Sequence, residues 1–364
     1  RFILKWFRRP EPGLHPEVEL STYLWERTSF HAVPRVLGRL EYRPRRGEVM
    51  TLAVLEEYCS HHGDAYTQAE DELSRYYERV LAAGANHGPP QLDGSLLELA
   101  QDGLADASEL LRPYLDQARH LGEQAAELHR ALASDSADIS FAAERFTPFA
   151  RQSLYHSMRE LAAQTLQLLR RRSAVLPETA REGARLALDD EGAILERFRA
   201  LLDPALEGVR IRCHGDYRLE DLLFDGTDFT VIDFEGEPDR PLSERRLKRP
   251  PFRDVASLLW SLHSAAYQAL EEGARSTLRP SDLPLLEPWA DHWFVAVSAS
   301  VLGAYLSRMR DSGLLPNDPE GLRRLWGVCL LERAMAQLAD HLYRAPEELH
   351  IALRAVRFAV KDGG

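Results

Sequence analysis

The sequence predicts an α+β fold in two lobes, a small mixed lobe over residues 1–58 and a large, mostly helical lobe over residues 59–364. Three observations carry this. At 364 residues the chain is longer than one domain of about 100–200 residues ordinarily needs. Its first sixty residues alternate short β-prone runs with one helical pattern. From Asp64 onward apolar residues recur at three- and four-residue spacing, and that pattern breaks only between Val209 and Glu235.

The opening run Arg1-Phe2-Ile3-Leu4-Lys5-Trp6-Phe7 is apolar and β-prone, and it reads as a strand entered midway through a domain. His15-Pro16-Glu17 opens a helix that runs to about Glu26. Arg35 to Tyr42 and Glu48 to Tyr58 are strands around the turn-like Pro44-Arg45-Arg46-Gly47. Helices follow over about 64–82, 104–133, 149–172 and 176–203, with Ala83 to Ser95 as the clearest loop. Val209–Cys213, Asp221–Phe224 and Phe229–Asp233 then form a hairpin-like insertion across 209–235, turning at Asp225-Gly226. A Pro- and Arg-rich loop occupies Glu235 to Pro251, and helices resume over about 253–272, 287–310, 318–343 and 346–358.

Composition narrows the function classes. Hydrophobic residues at 45% and charged residues at 28% describe a folded globular chain. Forty-five basic against 57 acidic residues leave −12, which argues against wholesale nucleic-acid binding. No apolar run reaches the ~18 residues of a membrane span. Cys59, Cys213 and Cys329 are odd in number and lack metal or disulfide spacing, so a reducing, cytoplasmic location is expected. Only Lys5, Lys248 and Lys361 among the basic residues are lysines, so each position asks for a reason.

The acids concentrate in the insertion. His214-Gly215-Asp216 follows one strand, Asp221 comes five residues later, and Asp233-Phe234-Glu235 ends the last strand. Carboxylates at strand ends converge on a cleft, where Mg2+ and a hydroxyl can both be held. Phosphoryl transfer asks for that set: a base near the acceptor, metal on the phosphates and a cation on the nucleotide.

These residues resemble a known family. The run CHGDYRLEDLLFDGTDFTVIDFEGEPDRPLSERRLKRPPFRDVASLL is similar to the catalytic core of bacterial maltokinases, including those fused to trehalose synthase. They are relatives of the aminoglycoside-phosphotransferase-like kinases, so the resemblance implies a bilobal protein-kinase-like fold. It extends over FILKWFRRPEPGLHPEVEL, TLAVLEEYCSHHGDAYTQAEDELSRYYERVL and LLERAMAQLADHLYRAPEELHIALRAV. It implies ATP and Mg2+ as cofactors and maltose, phosphorylated at its anomeric hydroxyl, as the substrate. A trehalose synthase domain or partner is the implied associate.

Residue by residue, Asp216 takes the place of the catalytic-loop aspartate, and Asp233 that of the metal-binding aspartate. Asp221 stands where the family has an amide ligand to the metal. Lys5 corresponds to the phosphate-pairing lysine, with Glu19, in preference to Glu17, as its ion-pair partner. Glu57, Tyr58 and Cys59 fall in the segment that meets adenine. Arg218, Glu235, Glu332 and Arg333 are candidate sugar contacts. His214 is expected to brace the loop, and Asp254 either to cap its helix or to hold the loop backbone.

The departures are specific. Where maltokinases read HGDYHLGQ this chain reads HGDYRLED, and the family's Glu-Lys-Ala-Val-Tyr-Glu run is here Glu332-Arg333-Ala334-Met335-Ala336-Gln337. No GxGxxG or GxxxxGK run is present. Two alternatives stand beside the maltokinase expectation: a kinase of another sugar such as glucosamine, or a degenerate kinase-like domain that regulates a trehalose synthase partner.

Overall fold

The computed structural model describes residues 1–84, 87–104, 109–276, 278–279 and 281–362. Parts of two expected elements, residues 85–86 of the loop and 105–108 of the helix expected over 104–133, lie outside the described residues. The chain opens with β1 (Phe2–Trp6), α1 (Pro16–Arg27), β2 (Val36–Tyr42) and β3 (Met50–Glu57). These strands form an antiparallel sheet in the order β1-β3-β2, with Lys5 opposite Val54 and Arg39 opposite Val54 on the other side. His15 caps α1, its ring nitrogen accepting from the Glu17 N–H at 3.3 Å, and Pro16 fills the first turn, where no N–H is needed.

A two-residue strand, β4 (Gly63–Asp64), leads into α2 (Ala65–Ala82), capped by Asp64 accepting from the Thr67 N–H at 2.8 Å. A short helix, α3 (Leu96–Asp102), follows on a Ser95–Glu98 capping box. The helical pattern from residue 104 gains its α-helix at α4 (Arg112–Leu132). Next come β5 (Glu144–Arg145), α5 (Pro148–Arg172), α6 (Glu178–Asp189) and α7 (Glu191–Phe198), so the single helix expected over 176–203 is divided at Asp190.

The insertion comprises β6 (Val209–Arg210), β7 (Leu222–Phe224) and β8 (Phe229–Val231). β4, β7 and β8 form one small sheet, and β6 pairs with β5. The strand expected over Val209–Cys213 is short because Ile211 bridges Arg249 and the chain then turns into the His214 loop. Four helices complete the chain after a short one, α8 (Leu242–Arg245): α9 (Phe252–Ser276), α10 (Leu283–Met309), α11 (Pro319–Arg344) and α12 (Leu349–Asp362). Pro288 sits in the sixth position of α10, which explains why the periodic pattern begins only near it.

Burial divides the molecule unequally. One large core runs through the helices and takes in Leu20, Tyr23 and Leu24 from α1. The first sheet has a separate, minimal core of Phe7, Val18 and Val54, with Val36 packed beside it. α1 therefore faces both ways and fixes β1, with Lys5, over the insertion. Among the described residues no helix is long and apolar enough to cross a membrane.

Candidate active site

The cleft is built around a sharp turn. Asp254, fully buried near the start of α9, accepts the His214 N–H at 2.7 Å and the Gly215 N–H at 3.0 Å. Of the two roles expected for Asp254, it therefore takes the one of holding the loop backbone. Gly215 adopts φ +97°, and a Cβ there would sit 3.2 Å from the Gly236 Cα, so glycine is required by conformation and by space. The two loops that carry Asp216 and Asp233 meet at this glycine pair. His214 ties them again: its Nε2–H donates to the Ile232 carbonyl at 2.9 Å, and its ring packs on Phe234 with centroids 4.7 Å apart. Asp233 itself has φ +66°, a conformation rare outside glycine, which turns its carboxylate into the cleft.

Asp254 is braced from behind. His129 of α4 donates through Nε2 at 3.1 Å, and the Tyr305 hydroxyl of α10 lies 2.9 Å from His129 Nδ1. Cys213 joins His129 and Asp254 in a buried group with metal-ligand chemistry. Its thiol, however, faces the carbonyls of Ile211 and Arg249, and burial pushes its pKa up, so the group is a hydrogen-bonded brace. No sequence signal marked His129 or Tyr305, since single buried polar residues on helices carry no motif.

Lys5 enters from β1. Its Nζ lies 2.5 Å from Asp233, 2.9 Å from Glu235 and 3.2 Å from Glu17. Burial alone would lower its pKa, but Glu17, Asp233 and Glu235 outweigh that and hold it charged. The expected Lys5–Glu19 pair is corrected to Lys5–Glu17. Positions 17 and 19 lie about 200° apart around a helix, so only one can face β1. Glu19 faces the other way, to Arg212 at 2.8 Å and Arg246 at 2.8 Å. If Lys5 holds nucleotide phosphates, as the resemblance implies, Glu17→Gln is expected to raise KM for ATP about 3–30-fold, while Glu19→Gln lowers thermal stability and leaves KM within about twofold. Steady-state kinetics and a melting curve on each variant check this.

Asp216, Arg218, Asp221, Asp233 and Glu235 line one cavity of about 430 Å3 together with Lys5; Arg8, Arg9 and Arg245 complete its basic wall, beside a His15 that burial, Arg245 and Lys5 keep neutral. Asp221 is buried, and its one ion pair among the described residues is with Arg218 at 3.9 Å. Burial, then the charges of Asp233, Asp216 and Glu220, push its pKa up to about 9 against the pull of Arg218. At Asp233 burial is outweighed by Lys5, and its pKa is lowered. Four hard carboxylates in one cleft, with Asp221 short of positive charge, are a donor set that a divalent cation fits.

A second cavity of about 560 Å3 lies on the other side of Asp216, walled by α11. It shares Asp216, Arg218 and Pro238 with the first, and adds Glu237, Arg240, Arg333, Gln337 and Tyr343 among others. Arg333, almost fully buried, donates to Asp216 at 2.7 Å and reaches Glu237 at 3.5 Å. Glu237 also meets Arg253 at 2.8 Å and Arg240. Burial opposes its charge, but Arg253, Arg240 and Arg333 hold its pKa near 2, against an ordinary 4.5. Because the folded pKa is the lower one, this stabilisation is complete above pH 4.5 and is lost as the pH falls toward 2. Acid titration followed by circular dichroism should show it, as a steeper loss of stability in the wild type than in Glu237→Gln, worth about 3 kcal/mol in all.

The remaining expectations separate. Glu332 lines neither cavity; Arg253 covers its carboxylate at 3.4 Å, which corrects its assignment as a sugar contact. Glu57, Tyr58 and Cys59 lie at the far end of β3 and are absent from both linings. There the Glu57 N–H donates to Arg35 and the Tyr58 N–H to Arg1. Glu237, Arg240 and Arg245 were not singled out in sequence, although the alternation of acid and arginine in EGEPDRPLSERR is a signal that could have found them.

A family model described as "Phosphotransferase enzyme family" matches residues 1–237. Among solved structures, a glucosamine kinase in complex with glucosamine, ADP and inorganic phosphate is 20% identical, with a TM-score of 0.70, over 98% of this chain and 71% of that one. A crystal form of glucosamine kinase, form B, is 19% identical with a TM-score of 0.71, over 98% of this chain and 72% of that one. At such identities the likeness is one of fold, and it bears out the bilobal kinase-like α+β architecture.

Proposed function

The chain belongs to the phosphotransferase enzyme family, and we propose that it transfers the γ-phosphoryl group of ATP to the anomeric hydroxyl of a sugar, maltose in the first instance. One observation carries this reading. Asp216 stands in the wall between two cavities, one carrying Lys5 and the paired Asp221 and Asp233, the other open to a small polar acceptor. Lys5 would hold nucleotide phosphates, and of the Glu57–Cys59 segment only Cys59 would offer its N–H to the adenine edge, since those of Glu57 and Tyr58 are already paired. Asp221 and Asp233 would hold Mg2+, which when bound neutralises charge on the phosphates. Asp216 orients the acceptor hydroxyl and takes its proton. A hemiacetal hydroxyl is more acidic than an ordinary alcohol, so positioning by the braced loop can supply most of the rate.

The acceptor side favours a neutral sugar. Every acid lining it is already tied to arginine: Asp216 and Glu237 to Arg333, and Asp239 and Asp340 to Arg344. An ammonium group would find no free carboxylate and four guanidinium groups. The glucosamine kinase likeness supports an amino-sugar acceptor as the second reading. A partner or fused domain that makes maltose from trehalose would supply the first. The deciding experiment incubates the protein with ATP and Mg2+ over maltose, glucose and glucosamine, following ADP release and identifying the sugar phosphate. Turnover with maltose above glucosamine is expected. Nucleotide binding without turnover on any sugar would instead establish a regulatory, degenerate kinase.

A further inference from the structure

We propose that the gap between α9, α10 and α12, on the far side of the helical lobe, binds a small dianion of the phosphomonoester class. The gap measures about 330 Å3, within the range of about 300–1,000 Å3 usual for ligand clefts. Its polar lining is His263 and Tyr267 from α9, Asp291 from α10, and Arg354, Arg357 and Lys361 from α12. Residues 354, 357 and 361 follow three- and four-residue spacing, so the three cations share one helix face. Three cations face one acid, in a protein whose overall charge is −12.

The cations are unequally engaged. Arg354 is tied to Glu287 at the rim and lies 5.0 Å over the Tyr267 ring. Asp291 is already engaged by the Tyr267 hydroxyl. Arg357 and Lys361 make no ion pair within 4 Å among the described residues, although both attract Asp291 and Arg357 also attracts Glu182. A merely solvated helix face would explain those two cations, but it does not explain His263. That side chain is fully buried, stacked near Trp260 and edge-on to Phe294 at 4.9 Å, and its Nδ1 has no hydrogen-bond partner among the described residues. Burial, with Arg354 adding to it, lowers its pKa to about 3, so it stays neutral and can donate or accept one hydrogen bond. A polar atom left unpaired in an aromatic surround costs about 1–3 kcal/mol. A ligand bearing both an anion and hydroxyl groups fits this lining: the phosphate on Arg357 and Lys361, the polyol on the side of the gap formed by His263 and Tyr267. A phosphomonoester carries about −1.5 to −2 at neutral pH, and the three cations less Asp291 and the rim Glu287 leave a net positive charge to meet it.

The test is calorimetric titration of the ADP-saturated full chain with glucose 1-phosphate, inorganic phosphate and glucose, on wild type and on the double variant R357E/K361E. Both positions are exposed, and the variant's melting temperature is expected to stay within about 2 °C of wild type. Wild type should bind glucose 1-phosphate, with at least a tenfold loss of affinity in the variant and no difference between the two in any binding of glucose. Tighter binding of the sugar phosphate than of free phosphate assigns the ligand to a phosphorylated metabolite, and the reverse order assigns it to phosphate itself. The proposal is overturned if neither anion binds or if the variant binds both anions as well as wild type. Glucose and glucose 1-phosphate can also enter the acceptor cavity, so the reading is the binding lost in R357E/K361E, which leaves that cavity intact.

Discussion

Asp216→Asn is expected to reduce turnover about 10^2–10^4-fold, the range that one general base contributes, with ATP affinity within about twofold of wild type. The separation follows from where the carboxylate sits. Asp216 lines both cavities, but the groups proposed to face a nucleotide, Lys5, Asp221 and Asp233, make no direct ion pair with it, and Asp221 meets it only through the shared Arg218. The asparagine keeps the size of the side chain and can still accept from Arg333 at its carbonyl oxygen, so the loop should not move. Single-turnover kinetics measure the chemical step, and nucleotide titration measures affinity. A variant that turns over at the wild-type rate would remove Asp216 from the role of base. One that loses ATP affinity in parallel would place Asp216 among the phosphate or metal contacts instead.

How much of this was legible in the sequence differs by element, for physical reasons. Asp216, Asp221 and Asp233 stood out because chemistry fixes their residue types and strand ends their spacing, Lys5 through the family resemblance and its rarity, and one cleft gathers all four. Glu17 against Glu19 was not, since both sit in the first turn of α1 and both are buried. The choice depends on which face of α1 meets β1, and that is set by packing of Val18 under the sheet and Leu20 in the helical core. The hairpin at Asp225-Gly226 was legible from turn chemistry. β5 was not, because two residues, Glu144 and Arg145, make a strand only when β6 lies beside them. Lys248, rare by composition, proved to be a clamp: its Nζ meets the carbonyls of Ile139 and Ala142 and the Glu144 carboxylate, far from any chemistry. Rarity of a residue type thus pointed to the site at Lys5 and to architecture at Lys248, and only the partners tell them apart.

Arg333→Leu is the second large effect, and it tests whether the acceptor side is held by charge or by geometry. Arg333 is one guanidinium shared between two acids, 2.7 Å from Asp216 and 3.5 Å from Glu237, and only 4% exposed. Its removal leaves Glu237 with Arg253 and Arg240, but leaves Asp216 with Arg218 alone, at 3.4 Å. Losing a buried charged hydrogen bond costs about 1–3 kcal/mol in stability, and a misplaced base about 10^2-fold in turnover. Arg333→Lys separates the two. An ammonium restores the charge but is a point donor, and it cannot hold two carboxylates in one plane as the guanidinium fork does. Arg333→Lys is therefore expected to recover most of the stability in chemical denaturation while kcat stays well below wild type and KM for ATP is unchanged. Full recovery of kcat in the lysine variant would show that charge alone suffices there. In that event the family's Glu-Lys-Ala run and the Glu332-Arg333-Ala334 run of this chain would do the same work, and the arginine would not set acceptor choice.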